Sequence, residues 1–191
     1  MVGHVARDRG GRDDGAALVD GAIGGDGGVS SGADSGTGSG TGSGSDAATG
    51  VGCDEPGLVW RTAAKTNFTS YPAPSSDECT TYNGCAYEGL FSACPTKRPL
   101  SWVQSHNIVA VFPDLDRLKL HDLCLKAGDK TLIVTVLDEC ADSDCSGCCT
   151  RNRGSADELI DLESFTDARF GVPDGPILWA DLGPTTTQGC Q

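Results

Sequence analysis

The stretch TLIVTVLDEC (131–140) decides the fold. Apolar residues recur at every second position and β-branched Ile, Val and Thr dominate, which is the pattern of a strand. Leu132, Val134 and Val136 share one face, and the same parity carries their row on to Asp138. An acid that continues an apolar row at a strand end is a candidate general acid, because apolar surroundings raise a carboxyl pKa. The competing role for Asp138 is a turn residue ahead of a disulfide at Cys140.

Outward from this strand the same short period recurs. NIVAVF (107–112), RLKLHD (117–122) and GPILWADL (175–182) read as strands, and RTAAKTNFT (61–69) as a half-exposed one. LESFTDARFG (162–171) is the one convincing helix, with Gly171 placed to end it. The segment between Cys79 and Trp102 is too rich in Cys, Gly and Pro to assign. Five or six short strands with one helix predict an all-β chain closed into a small barrel. A second acid, Asp161, stands among Leu159, Ile160 and Leu162 just before the helix. It is either a second functional carboxylate or the helix N-cap. Asn67-Phe68-Thr69 fits a glycosylation sequon.

Composition divides the chain at residue 52. Residues 1–52 hold 17 of the 27 glycines and none of the ten cysteines or eleven aromatics. Such a segment cannot bury enough apolar surface to offset chain ordering, so 1–52 is expected to be a disordered tail or linker. Within it SSGADSGTGSGTGSGSDAATG (30–50) reads as a flexible spacer from a membrane anchor or neighbouring module, or as a solubilising tail. Residues 53–191 form one domain. The three Arg and seven Asp of the tail leave −4, and the 11 basic and 20 acidic residues of the domain leave −9. Nucleic acid is excluded as a partner on this charge, and anionic lipid is disfavoured. No apolar run is long enough for a membrane helix.

Cysteine density sets the compartment. Cys53, Cys79, Cys85, Cys94, Cys124, Cys140, Cys145, Cys148, Cys149 and Cys190 fall within 139 residues, which predicts a disulfide framework and a secreted or cell-surface protein. The rival is structural zinc at Cys140, Cys145, Cys148 and Cys149. Zinc sites prefer two well-separated knuckles, and the chain has only three histidines. A redox role for the C-x-x-C pair is the third option, in a Ser/Gly/Asp loop that does not suit it. No metal and no cofactor is expected. The longest apolar stretch near Met1 is Ala16–Val19, shorter than a signal peptide requires, so a clipped or misassigned start is expected.

The order NIVAVF, LKLHDLCL, GDK, LIVTVLDEC, ELIDLESF and GPILWADL, over roughly residues 60–182, resembles the double-psi β-barrel family of expansins, fungal loosenins, kiwellins and barwin-related proteins. Asp138 and Cys140 match the V-x-V-x-D-x-C signature of that family. Asp161 matches the acid of its D-L-S motif, and Gly84-Cys85 its G-x-C-G region. Ala141 and Glu163 depart from the proline and serine of these motifs, and the loop 141–157 is longer and richer in cysteine. The D-E-C-A-D-S stretch is similar to that of kiwellins. The resemblance implies a six-stranded double-psi barrel with Asp138 and Asp161 at one groove.

It also implies a choice of functions. Related family-45 endoglucanases invert with two carboxylates, one acid and one base. Asp161 stands at their acid, while FTSYPAPSS (68–76), where their base falls, contains no acid. Hydrolysis is therefore disfavoured, and Asp77 or Glu78 would be the nearest replacement base. Expansins and loosenins lack that base and act without lysis. The leading expectation is a monomeric, secreted, expansin-like protein that loosens a β-linked polysaccharide such as cellulose, chitin or peptidoglycan. Asp138 and Asp161 would bind sugar hydroxyls, and Tyr82, Tyr87 or Trp102 would stack on a ring. The alternatives are a kiwellin-like inhibitor with a protein target and a lytic transglycosylase like rare lipoprotein A. The last acts on anionic peptidoglycan, which a −9 domain meets unfavourably.

Overall fold

The computed structural model of the protein describes residues 52–82, 84–186 and 189–190. Apart from Gly52, the tail expected to be disordered lies outside the described residues. Six strands form: β1 (Arg61–Phe68), β2 (Ile108–Phe112), β3 (His121–Ala127), β4 (Lys130–Glu139), β5 (Glu158–Glu163) and β6 (Gly175–Pro184). They close into a barrel in the order β1-β5-β2-β4-β3-β6. The β1–β5 and β2–β4 pairs are parallel, and the remaining pairs are antiparallel. Closure leaves no open sheet edge, which suits strands this short.

The helices are α1 (Asp77–Thr80), α2 (Leu100–Ser105), α3 (Leu115–Leu118), α4 (Cys148–Arg153) and α5 (Ser164–Phe170). α5 is the expected helix, and Gly171 ends it with a left-handed φ of 59° that a Cβ would disfavour. The other four are additions to the single-helix expectation, each six residues or shorter. RLKLHD is corrected: Arg117 and Leu118 end α3, and β3 begins only at His121. Leu115 and Leu118, three apart, are both buried in the barrel core, and so short an element fits both periods. ELIDLE is corrected from a helix approach to β5, whose six residues are all buried. Both faces of this strand are covered, so its sequence lacks the alternation that marks a half-exposed strand.

Inward residues of all six strands make the principal core. Ala63, Val109, Val111, Leu123, Leu125, Val134, Val136, Ile160, Leu162, Ile177 and Trp179 form one cluster, extended by Leu115 and Leu118 of α3 and Phe170 of α5. Two further clusters cover the outer face of β1, β5, β2 and β4. One joins Leu159 to Cys140, Cys145, Cys148 and Cys149, with Ala64 and Phe112 against it. The other joins Phe68, Phe91, Val103, Ile108, Ala110 and Leu137.

RTAAKTNFT forms β1 as expected, but its half-exposed character does not extend to Lys65. That side chain is fully buried and ion-paired with Asp167 and with Asp174, the latter at 3.0 Å. A cation reads as solvent-facing in a strand pattern, and two carboxylates from distant parts of the chain reverse that.

Candidate functional site

The two candidate acids are brought to one row by register. Ala110 of β2 pairs with Asp161 of β5 on one side and with Asp138 of β4 on the other. Paired residues project to the same face, so both acids flank the methyl of Ala110. Two interstrand spacings put their Cα atoms about 10 Å apart. Thr66 of β1 pairs with Asp161 and extends the row to a fourth strand.

The face is not the one that parity predicts. Val109 pairs with Val136 and Ala110 with Asp138, so Leu137 is an extra residue in β4. This bulge takes Asp138 out of the inward row of Val134 and Val136 and turns it to the outer face. Asp161 faces the same way, because its neighbours Ile160 and Leu162 point into the barrel. The aliphatic bracket around Asp161 is thus split between two faces of the sheet.

Each acid is held by a hydroxyl. Asp138 Oδ1 accepts from Ser92 N–H at 2.9 Å and Ser92 Oγ at 2.6 Å, which ties the loop before α2 to the barrel. Asp161 Oδ1 accepts from Thr66 Oγ1 at 2.7 Å. Both side chains are 0 % exposed. The groove expected at these acids is covered, and the acid row lies between the disulfide cluster and the Phe68–Phe91 cluster as a closed seam.

The N-cap role weighed for Asp161 belongs to Glu163. Its Oε2 accepts from Phe165 N–H at 2.7 Å, and its Oε1 accepts from the hydroxyls of Ser70 and Ser164, each at 3.0 Å. Glu163 is the residue immediately before α5, and its carboxylate caps the helix by taking up a free first-turn amide. Thr66, Ser92 and Ala110 are not singled out by the sequence, and Glu163 stands out there only as a departure from a motif serine, not as a cap. Only Glu163, immediately before the helix, carried a local signal that could have found it.

The aromatic candidates are dispersed. Tyr82 is exposed, on the loop closed by the Cys79–Cys85 disulfide, and Tyr87 ends the short 3-10 turn Gly84–Tyr87 behind it. Gly84 is required in that loop, since a Cβ there would lie 2.8 Å from the Glu78 carbonyl oxygen. Trp102 lies on α2 with His106 stacked at 3.8 Å and the Arg98 guanidinium 5.6 Å from its ring. Its ring is already engaged within the protein. Asn67 of the sequon lies within β1, donates to Asp174 and precedes the buried Phe68.

All ten cysteines are paired: Cys53–Cys124, Cys79–Cys85, Cys94–Cys190, Cys140–Cys149 and Cys145–Cys148. Cys140, Cys148 and Cys149 bring their sulfurs close enough to hold an ion. Their bonding as disulfides leaves no thiolate to offer one. Five disulfides mark an oxidising, extracellular type of environment. The disulfide-clamped segment is pinned further by Asp142, which accepts from the N–H and hydroxyl of Thr150. Burial acts to raise the Asp142 carboxyl, but the Thr150 and Cys149 hydrogen bonds and the Arg151 charge together hold it below its ordinary value.

Glu158 is a further buried acid, its side chain 7 % exposed and paired with Arg117 Nη2 at 2.9 Å. Burial, and then the Asp114 carboxylate, raise its pKa against the opposing pull of Arg117. A carboxyl raised above its ordinary 4.5 binds its proton more tightly in the folded state. Its charge therefore lowers stability at neutral pH, and that loss disappears as pH falls through the raised value toward 4.5. Urea unfolding of wild type is expected to gain on Glu158→Gln over that interval. A pH-independent difference between the two proteins would contradict the assignment.

No family model and no curated protein matches the chain. Among solved structures, Streptomyces papain inhibitor aligns at 17 % identity with a TM-score of 0.36, over 64 % of this chain and 94 % of that chain. A likeness at that level carries no argument about function.

Proposed function

We propose that the domain is a secreted or cell-surface, expansin- or loosenin-like protein that binds a β-linked polysaccharide without cutting it. The observation that carries the non-lytic reading is the condition of the acid row. Asp138 and Asp161 are both closed off from solvent and committed to hydroxyls of the protein itself. A glycosidase acid must reach the leaving oxygen, and an inverting pair must hold a water between its carboxyls. The acids then act from beneath the surface, by holding Ser92 and Thr66 in place, and the sugar contacts fall to exposed residues. The exposed Tyr82, on its disulfide-clamped loop, supplies an aromatic contact for a sugar ring. The spacer of residues 30–50 would hold the domain away from its point of attachment.

The test is retention on cellulose, chitin and peptidoglycan, with soluble reducing and anhydro sugars measured in the same samples. Wild type is expected to be retained on a polysaccharide with sugar release at background. Tyr82→Ala is expected to weaken retention up to about tenfold, roughly the 1.4 kcal/mol of one aromatic contact. Asp161→Asn is expected to weaken binding or loosening and leave sugar release at background. Release by wild type that vanishes in Asp161→Asn would make the protein an enzyme, and anhydro ends would identify a transglycosylase.

The closed seam also favours a second reading, a kiwellin-like scaffold that presents its loops to a protein target. Failure to retain on any of the three polymers, with stoichiometric capture of a hydrolase, would favour it.

A further inference from the structure

The group that the acid row leaves unused is Lys65. Its ammonium is inside one end of the barrel with its side chain 0 % exposed, on a strand whose neighbours in register are Ile160 and Gly175. It meets two carboxylates there: Asp167 on α5 and Asp174 in the link from α5 to β6. The two contacts differ in kind. Lys65 Nζ donates a hydrogen bond to Asp174 Oδ1 at 3.0 Å, and Asn67 Nδ2 donates to the same oxygen at 3.3 Å, which fixes that carboxylate. The contact with Asp167 Oδ1 is a direct approach of nitrogen and oxygen outside hydrogen-bond geometry, at an oxygen that is itself buried.

A buried amine against one carboxyl, with a second carboxyl in place to carry protons, is the arrangement for amide formation within a chain. We propose that Lys65 and Asp167 condense to an intramolecular isopeptide bond, with Asp174 as the proton carrier.

The step needs no outside reagent. Proton transfer within the ion pair of buried Lys65 and partly exposed Asp167 gives a neutral amine and a protonated Asp167 carboxyl. Lys65 Nζ attacks Asp167 Cγ, the new C–N bond forms, and Asp174 moves the proton from nitrogen to the departing hydroxyl. The C–O bond breaks and water leaves, so ammonium plus carboxylate becomes amide plus water. Two features favour it physically. The folded chain holds the groups together, and such positioning reaches effective molarities on the order of 10⁵–10⁸ M. Condensation also removes the charge of the fully buried Lys65, which carries a desolvation cost, together with that of the partly exposed Asp167. The product would tie β1 to α5, beside Phe170 and Ile177 at that end of the core.

Intact mass of the fully reduced, denatured protein tests the proposal. Wild type is expected to be lighter by one water than its residues sum to, and Asp167→Ala is expected to recover the full mass of its own sequence. Asp174→Ala is expected to fold with the bond absent or slow to form. Because an aspartyl succinimide before Gly175 would lose the same water, a second readout is needed. In denaturant Lys65 must resist an amine-acylating reagent and trypsin, and fragmentation must show residue 65 joined to residue 167. Full unlinked mass for wild type, or a lost water with Lys65 still reactive, overturns the proposal. Both decisive measurements are made on wild type, so a variant that fails to fold does not affect them.

Discussion

Reduction of the five disulfides is expected to unfold the domain at neutral pH, with loss of near-UV dichroism and a cooperative transition no longer seen in urea. The two long links dominate. Cys53–Cys124 spans 71 residues and ties the chain before β1 to β3, and Cys94–Cys190 spans 96 and ties the C-terminal end to the loop before α2. On the chain-entropy account each of these contributes about 4–5 kcal/mol. The three short links, of separations 3, 6 and 9, contribute roughly 1.5–2.5 kcal/mol each on the same account. A domain of ordinary stability has about 5–15 kcal/mol in all, so losing every bridge exceeds what remains. Cys94→Ala with Cys190→Ala should therefore lower the urea midpoint more than Cys145→Ala with Cys148→Ala. A reduced protein that keeps its near-UV signal would show that the barrel core suffices alone.

Trp179→Ala is expected to cost about 3–5 kcal/mol, the range for truncating a large aromatic in a packed core. Trp179 is 0 % exposed, pairs with Arg61 on β1 and Leu125 on β3, and belongs to the cluster formed by all six strands. The guanidiniums of Arg61 and Arg117 lie 5.6 and 5.8 Å from its ring, so truncation also removes the surface on which two cations rest. Trp60→Ala is the matched control. That ring is half-buried outside the core with Lys126 at 5.5 Å, and its loss should cost under about 1 kcal/mol. Equal losses for the two variants, by urea unfolding, would mean that the barrel interior does not carry the stability assigned to it.

Much of this molecule was legible locally. Strand positions around NIVAVF, TLIVTVL, RTAAKTNF and GPILWADL follow from a period of two, and the closed barrel follows from their number and brevity. Gly171 ends its helix through a backbone conformation that glycine reaches without penalty. Cysteine density alone foretold that the thiols would be bridged. What misled was any inference that extended a local pattern across a long-range contact. Parity from Val136 to Asp138 holds only in an unbroken strand, and the bulge at Leu137 exists because β2 and β4 pair in a particular register. RLKLHD satisfied both periods, and the need for Leu115 and Leu118 to pack into the barrel selected the helix.

The site divides along the same line. The residues of Asp138 and Asp161 stand out in sequence because acids rarely follow or interrupt apolar runs. Their meeting across Ala110, their closure from solvent and their hydroxyl partners Ser92 and Thr66 depend on segments that are 23 to 95 residues apart in the chain. Lys65 is the sharpest case: its strand pattern assigns it no depth, and it is buried because α5 and the following link bring Asp167 and Asp174 to it. Secondary structure and cysteine content are set by neighbours along the chain, through backbone preference and side-chain period. Disulfide connectivity, the face an acid presents and the burial of a charge are set by neighbours in space, which only the closed barrel supplies.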